Sequence, residues 1–116
     1  KLPVSAPFHC PLMKPATKIM TKELNRTKFL IPNSMIVSNV SAKPSNDPEK
    51  IRNLLIEQIE KPVRWRESII NMINHGVTHF IEIGPGKVLT GLIKRINQNV
   101  KITSINNQSD IESLEI

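Results

Sequence analysis

The second half of the chain has two short runs of branched apolar residues separated by one helical stripe. Residues 77–83 and 100–105 have the composition of strands, and apolar residues recur at helical spacing from 88 to 96 between them. Two strands joined through a helix lie parallel, because a parallel pair needs a long crossover connection. The sequence therefore predicts an α/β fold with a mostly parallel sheet flanked by helices.

Apolar residues at helical spacing predict three helices in the first two thirds of the chain. Asp47-Pro48 opens the second of them, since a capping carboxylate followed by proline is typical of a helix start. Gly76 follows the third in the position of a helix C-cap. The three stripes are Leu12, Met13, Ala16, Ile19, Met20 and Leu24; Ile51, Leu54, Leu55 and Ile59; and Trp65, Ile69, Met72 and Ile73.

The segments between these helices are predicted from composition. Met35-Ile36-Val37 is rich enough in branched residues to predict a buried strand, and residues 41–47, which include Pro44, predict a loop. Residues 110–116 predict a frayed helical tail. Gly84-Pro85-Gly86-Lys87 lacks the glycine spacing of phosphate-binding loops and dinucleotide folds, so it indicates a tight structural turn.

Composition limits the classes of function. The net charge of +6 is spread along the chain and aromatic residues make up only 3%, which argues against nucleic-acid binding and favours a basic surface that attracts an acidic protein or an anionic substrate. No apolar run is long enough to span a bilayer. The single Cys10 indicates a reducing compartment, the cytoplasm or an organelle, and Cys10 with three histidines shows no metal-ligand spacing.

Two polar residues stand out against apolar surroundings. His9 precedes an apolar helix, where it is either a structural residue, the commoner case, or a general base that exchanges a proton near neutral pH. Neighbouring side chains rarely face each other, so a dyad of Cys10 with His9 is not expected, and His75 and His79 are predicted to lie at the surface. Gln58 lies on an apolar stripe, where it either reaches solvent or borders a polar pocket.

Three blocks in the same order resemble the malonyl-CoA:acyl carrier protein transacylases. The first is Val4-Ser5-Ala6-Pro7-Phe8-His9-Cys10-Pro11-Leu12-Met13-Lys14-Pro15-Ala16, which is similar to the segment around the family's catalytic histidine. The second is Gln58 with Pro62-Val63-Arg64-Trp65. The third is Phe80-Ile81-Glu82-Ile83-Gly84-Pro85-Gly86-Lys87-Val88-Leu89-Thr90-Gly91-Leu92.

The resemblance implies the carboxyl-terminal part of an α/β-hydrolase-like large subdomain, over residues 1–106, followed by a tail over 107–116. It implies that the family's serine elbow lies upstream in an amino-terminal half, since no G-x-S-x-G occurs here and the chain begins at Lys1 rather than Met. We therefore expect a piece of a larger enzyme that is inactive alone. A non-catalytic remnant that binds carrier protein through its basic surface is the alternative.

The resemblance also implies roles for individual residues. His9 would be the general base, and Gln58 would offer its backbone carbonyl to the histidine in place of a triad carboxylate. Phe8 matches a position linked to preference for malonyl groups. The implied substrates are malonyl-CoA and phosphopantetheinylated acyl carrier protein, in fatty acid biosynthesis, with no other cofactor, no nucleic acid and no membrane.

Overall fold

A computed structural model describes residues 7–114 and divides the chain into two compact units, the first running to Ser68 and the second from Ile69. The helix α3 begins in the first unit and continues into the second. The elements are a 3-10 turn over Pro11–Met13, then α1 (Lys14–Arg26), β1 (Ile36–Val37), β2 (Pro44–Ser45), α2 (Pro48–Gln58), α3 (Trp65–Asn74), β3 (His79–Ile83), α4 (Val88–Ile96), β4 (Lys101–Ile105) and α5 (Gln108–Glu112).

The first unit is built on the pair of helices α1 and α2. The Asp47 carboxylate accepts hydrogen bonds from the backbone N–H groups of Glu49 and Lys50, which confirms the predicted start of α2. Arg52 on α2 donates from Nε to the carbonyl of Leu24 at 3.1 Å and from Nη2 to that of Thr27 at 3.2 Å. A single cation thus satisfies two carbonyl groups at the end of α1 and ties the helices together.

The predicted buried strand is wrong in extent and in burial. Only Ile36 and Val37 form β1, and Met35 and Ile36 are exposed, at 63% and 43%. β1 pairs antiparallel with β2, which lies within the predicted loop. Because the ladder is only two residues long, it covers little of the apolar surface, and branched composition alone does not determine which face is buried.

The second unit contains the predicted parallel sheet. β3 and β4 pair in parallel register from His79 opposite Lys101 to Ile83 opposite Ile105. The buried apolar residues of this unit are Ile69, Phe80, Ile93 and Ile105. The end of α3 confirms the predicted C-cap, because Gly76 has a φ of +91° and its N–H donates to the carbonyl of Ile73.

A carboxylate on β3 caps the helix that follows it. Glu82 accepts from the backbone N–H of Leu89 at 3.0 Å and from that of Thr90 at 2.8 Å, and from the Thr90 hydroxyl at 2.6 Å. The Thr90 hydroxyl and these two amides lower the pKa of Glu82 against the opposing effect of its partial burial. Lys87, at the N-cap of α4, makes no side-chain cap, so the cap comes from the strand instead.

The described residues therefore form an α/β arrangement with a parallel sheet of two strands. The helix predicted over residues 110–116 differs in its bounds, since α5 begins at Gln108 and ends at Glu112. The boundary at residue 106 stays a prediction, and the predicted helix at 115–116 and the Val4-Ser5-Ala6 part of the first block lie outside the described residues. Within residues 7–114, none of the helices has the length and apolar character to span a membrane.

Candidate active site

His9 lies just before the 3-10 turn that leads into α1. Its side chain is exposed, and its backbone φ of +56° lies in the left-handed region, where residues other than glycine are uncommon. Strained backbone of this kind occurs preferentially at functional sites, since the surrounding structure must hold it in place. The 3-10 turn Pro11–Met13 follows one residue later and leads into α1.

The imidazole of His9 meets the end of α2. Its Nδ1 lies 2.7 Å from the backbone carbonyl oxygen of Gln58, across 49 residues of sequence. A carbonyl only accepts, so Nδ1 must carry the proton and donate it. In the neutral ring this leaves Nε2 without a proton and able to accept one. The structure brings the two predicted site residues together, while their catalytic roles stay predictions.

The side chain of Gln58 hydrogen-bonds to the turn that follows α2, next to the backbone carbonyl that accepts from His9. Its Nε2 donates to the carbonyl of Lys61 at 2.9 Å and lies 3.4 Å from His9 Nδ1. Its Oε1 is buried with no hydrogen-bond partner among the described residues. Sequence reasoning missed the bond to Lys61, although Pro62, which ends the helical pattern one residue later, marks a turn within reach of the glutamine.

Gln58 also borders a small cavity in the first unit. The cavity has a volume of about 170 Å³, and its other lining residues are Ile36, Val37, Ser38, Asn39, Ile51, Leu54 and Leu55. The lining is mainly apolar, with Ser38 and Asn39 as its other polar residues. Gln58 is therefore half-buried between this cavity and His9, and the pocket that it borders is mainly apolar rather than polar.

The residues adjacent to His9 differ in what they contact. Phe8 is 59% exposed, and its predicted role at the substrate is untested. The thiol of Cys10 donates to the carbonyl of Pro7 at 3.1 Å. Cys10 is thus bonded to backbone, and it makes no hydrogen bond with His9 among the described residues, as expected for neighbours in sequence.

The other two histidines have local partners. His75 is exposed, and its Nδ1 lies 2.8 Å from the carbonyl of Asn71 on the same helix. His79 was predicted to lie at the surface, but it is half-buried, with Nε2 2.8 Å from the Thr103 hydroxyl on β4. The prediction failed for His79 because it lies within β3, where pairing with β4 covers it. Within residues 7–114, no three histidine, cysteine or acidic side chains come together as a metal site.

Comparison with known proteins gives consistent matches over nearly the whole chain, although no family model matches it. The malonyl CoA-acyl carrier protein transacylase of Bacillus subtilis is 44% identical over 115 residues, which are 99% of this chain and 35% of that protein. The crystal structure of an acyl carrier protein S-malonyltransferase from Vibrio cholerae matches with a TM-score of 0.89 and 42% identity, over 98% of this chain and 37% of that one. A type II polyketide synthase acyl carrier protein in complex with its malonyl-transacylase matches with a TM-score of 0.88 and 39% identity, over 97% of this chain and 36% of that one.

The α/β fold and these matches make the chain similar to acyltransferases over nearly its whole length. More narrowly, it is homologous to the malonyl-CoA:acyl carrier protein transacylases and fits their carboxyl-terminal portion. The chain spans about 35% of the length of the curated relatives that it matches.

Proposed function

We propose that this chain supplies the general base of an enzyme that transfers the malonyl group from malonyl-CoA to acyl carrier protein in fatty acid biosynthesis. The observation that carries the proposal is the 2.7 Å contact between His9 Nδ1 and the carbonyl of Gln58. It orients an exposed imidazole and leaves Nε2 as the basic atom. The homology to transacylases supplies the reaction, and the contact supplies a residue able to move its protons.

In the first half-reaction, Nε2 of His9 takes the hydroxyl proton of a serine as the serine oxygen bonds to the thioester carbon of malonyl-CoA. This serine comes from a part of the enzyme other than this chain, which has no G-x-S-x-G. The carbon–sulfur bond then breaks, and its electron pair leaves with the CoA sulfur. His9 returns the proton to that sulfur, so CoA leaves as a thiol and a malonyl-serine ester remains.

In the second half-reaction, the same nitrogen takes the proton of the phosphopantetheine thiol on acyl carrier protein. The sulfur attacks the ester carbon, the carbon–oxygen bond breaks, and the proton passes to the serine oxygen. His9 therefore alternates between base and acid twice in one cycle. Its imidazolium form is stabilised by Gln58 through a neutral carbonyl, which attracts the positive charge less than the carboxylate of a Ser-His-Asp triad would.

The remaining predictions belong to the same proposal. Phe8, beside the base and 59% exposed, would contact the acyl group. The α/β arrangement would form the carboxyl-terminal part of an α/β-hydrolase-like subdomain in a reducing compartment, and the chain without its serine partner would be inactive. A similar malonyl-transacylase has been solved with its acyl carrier protein, which supports carrier protein as the acceptor.

The test uses this chain together with the part that supplies the serine, in cis or as a second polypeptide. Brief reaction with labelled malonyl-CoA and analysis by mass spectrometry should place the malonyl group on a serine outside this chain. His9→Gln should slow labelling strongly, because glutamine cannot accept the proton. Labelling on Cys10, or equal labelling of the variant, would contradict the proposal.

A non-catalytic remnant that only binds carrier protein makes a different prediction. It would bind carrier protein equally well with His9 or with glutamine at that position, and the serine of a partner polypeptide would not become labelled by malonyl-CoA any faster in its presence. Labelling of the assembled enzyme therefore separates the two functions.

A further inference from the structure

The backbone carbonyl that accepts from His9 belongs to Gln58, the last residue of α2. The last carbonyls of a helix have no partner within it, so each needs a donor from elsewhere. Backbone hydrogen bonds continue past α2 as far as Lys61, whose N–H donates to the carbonyl of Glu57 at 3.0 Å. In the same register of four residues, the next N–H would be that of residue 62, and its acceptor would be the carbonyl of Gln58.

Residue 62 is a proline, which has no N–H. The donor that would come next in the helical series is therefore missing, and among residues 7–114 no backbone N–H donates to the Gln58 carbonyl. The partner that this carbonyl does have is Nδ1 of His9, at 2.7 Å. That distance lies at the short end of the usual range between nitrogen and oxygen, which fits an acceptor that no second donor shares.

The chain on either side of Pro62 is held by contacts that do not involve the proline ring. Before it, the carbonyl of Lys61 accepts from the side-chain amide of Gln58 at 2.9 Å. After it, the N–H of Arg64 donates to the carbonyl of Asn39, also at 2.9 Å. Pro62 itself is exposed. A residue with an N–H at this position would therefore keep the same path of the chain and place a second donor near the Gln58 carbonyl.

We infer that Pro62 is a positioning residue for the proposed reaction, because its missing N–H leaves the Gln58 carbonyl free to hold the imidazole of His9. The inference rests on the proposed function for the reaction that His9 serves. A carbonyl shared with a second donor would bind Nδ1–H less strongly, so the ring would turn or change tautomer in part of the molecules. In those molecules Nε2 would not be the atom free to take the serine proton.

The test is Pro62→Ala in the assembled enzyme. We expect the rate of malonyl-enzyme formation at saturating malonyl-CoA to fall on the order of tenfold, because the base is misplaced. The KM for malonyl-CoA should stay nearly constant, since Pro62 is not proposed to contact the substrate. The nitrogen NMR chemical shifts of the His9 ring should move from those of a single tautomer, protonated at Nδ1, toward those of a mixture. A proline that only stabilised the turn would change Tm and leave these shifts unchanged.

Two controls separate the missing N–H from the other properties of proline. N-methylalanine at position 62, introduced by peptide ligation, lacks both the ring and the N–H, so the rate and the shifts should return to those of the parent. Pro48→Ala makes the same change at the first residue of α2. An N–H there has no partner within the helix, so this variant should transfer malonyl groups at the parent rate.

An unchanged rate and unchanged shifts in Pro62→Ala would overturn the inference. A methylated variant as slow as Pro62→Ala would also overturn it, since the ring would then matter rather than the N–H. If Pro62→Ala does not fold, the methylated variant decides: a folded enzyme with parent shifts supports the inference, and the same failure to fold overturns it. Failure of the parent to form any malonyl-enzyme would overturn the proposed function alone, because the shifts of His9 require no turnover and still report where its proton lies.

Discussion

The two units of the chain differ in the span of their longest hydrogen bonds, which among the described residues is 49 residues in the first unit and 24 in the second. In the first unit, the bond between His9 and Gln58 joins residues 49 apart, and Arg52 reaches Leu24 across 28. In the second, Glu82 caps α4 through residues seven and eight positions away, β3 pairs with β4 between residues 22 apart, and His79 reaches Thr103 across 24. The candidate site therefore depends on a closure about twice as long as any hydrogen bond described in the second unit.

This difference has a physical consequence. A contact that closes a long loop must overcome more chain entropy than a local one, so it needs support from other contacts to stay formed. Two sets of hydrogen bonds support the site. Arg52 on α2 bonds to the end of α1, and the side-chain amide of Gln58 bonds to the carbonyl of Lys61. Substitutions that remove these supports should therefore affect both the stability of the first unit and the site, whereas those in the second unit, which holds neither His9 nor Gln58, should affect stability.

The largest expected effect is that of His9→Ala. Removal of the general base should lower malonyl transfer by the assembled enzyme by roughly two to four powers of ten. The matched control is His75→Ala, an exposed histidine in a different helix, which should leave transfer nearly unchanged. Transfer rates measured with saturating substrates check both. Equal damage from the two substitutions would show that the base had been assigned to the wrong histidine.

Arg52→Met tests whether the hydrogen bonds from Arg52 to the end of α1 stabilise the first unit. The side chain of Arg52 is only 15% exposed, and the substitution leaves the carbonyls of Leu24 and Thr27 without this donor. We expect the free energy of unfolding to fall by about 1–3 kcal/mol, the usual range for lost hydrogen bonds to a charged group. Denaturant unfolding measures it, with Arg66→Met as the exposed control expected within about 0.5 kcal/mol of the parent. A loss no larger than that of Arg66→Met would mean that the tie does not stabilise the unit.

Glu82→Gln tests whether the local network supports the second unit. The neutral amide cannot replace a carboxylate that accepts from two backbone amides and one hydroxyl, so Tm should fall by more than it does for Glu57→Gln, an exposed glutamate on α2. Thermal unfolding followed by circular dichroism compares the variants. Equal Tm values would show that α4 does not need this cap.

The lowered pKa of Glu82 adds a dependence on pH. Because its pKa is lower in the folded state, its contribution to stability is present above the ordinary glutamate value of about 4.3 and is lost as the pH falls through the folded value. The difference in Tm between the parent and Glu82→Gln should therefore shrink on acidification below that range. A difference that stayed constant from neutral to acidic pH would contradict this assignment.

Gln58→Ala should have the smallest effect of these substitutions. The backbone carbonyl that accepts from His9 remains, while the bond from the amide to Lys61 is lost, so stability should fall by roughly 0.5–1.5 kcal/mol. Transfer should fall by much less than in His9→Ala. If the two proved equally damaging, the side-chain amide would be acting on His9 directly rather than through the turn.

Local patterns of residues are enough to predict the elements that depend on near neighbours. Asp47-Pro48 and Gly76 mark a helix start and a helix end because capping depends on only a few neighbouring residues. The elements β3, α4 and β4 could be predicted because apolar residues recur with different periods in strands and helices. Their parallel pairing could be predicted because a helix connects the two strands. Their polar character in apolar surroundings singled out His9 and Gln58, but the roles predicted for them came from resemblance to a family.

Other features depend on which groups contact a residue in the folded chain, so local patterns could not predict them. The composition of Met35-Ile36-Val37 predicts a strand, but its short partner at Pro44–Ser45 leaves Ile36 exposed. In the sequence, Glu82 is a single polar residue in a predicted strand. In the folded chain, two backbone N–H groups of α4 donate to its carboxylate. The tautomer of His9 is set by a carbonyl 49 residues away. All three features, burial, capping by another element and the position of a proton, depend on contacts between groups distant in sequence. Local periodicity does not show which distant groups come into contact.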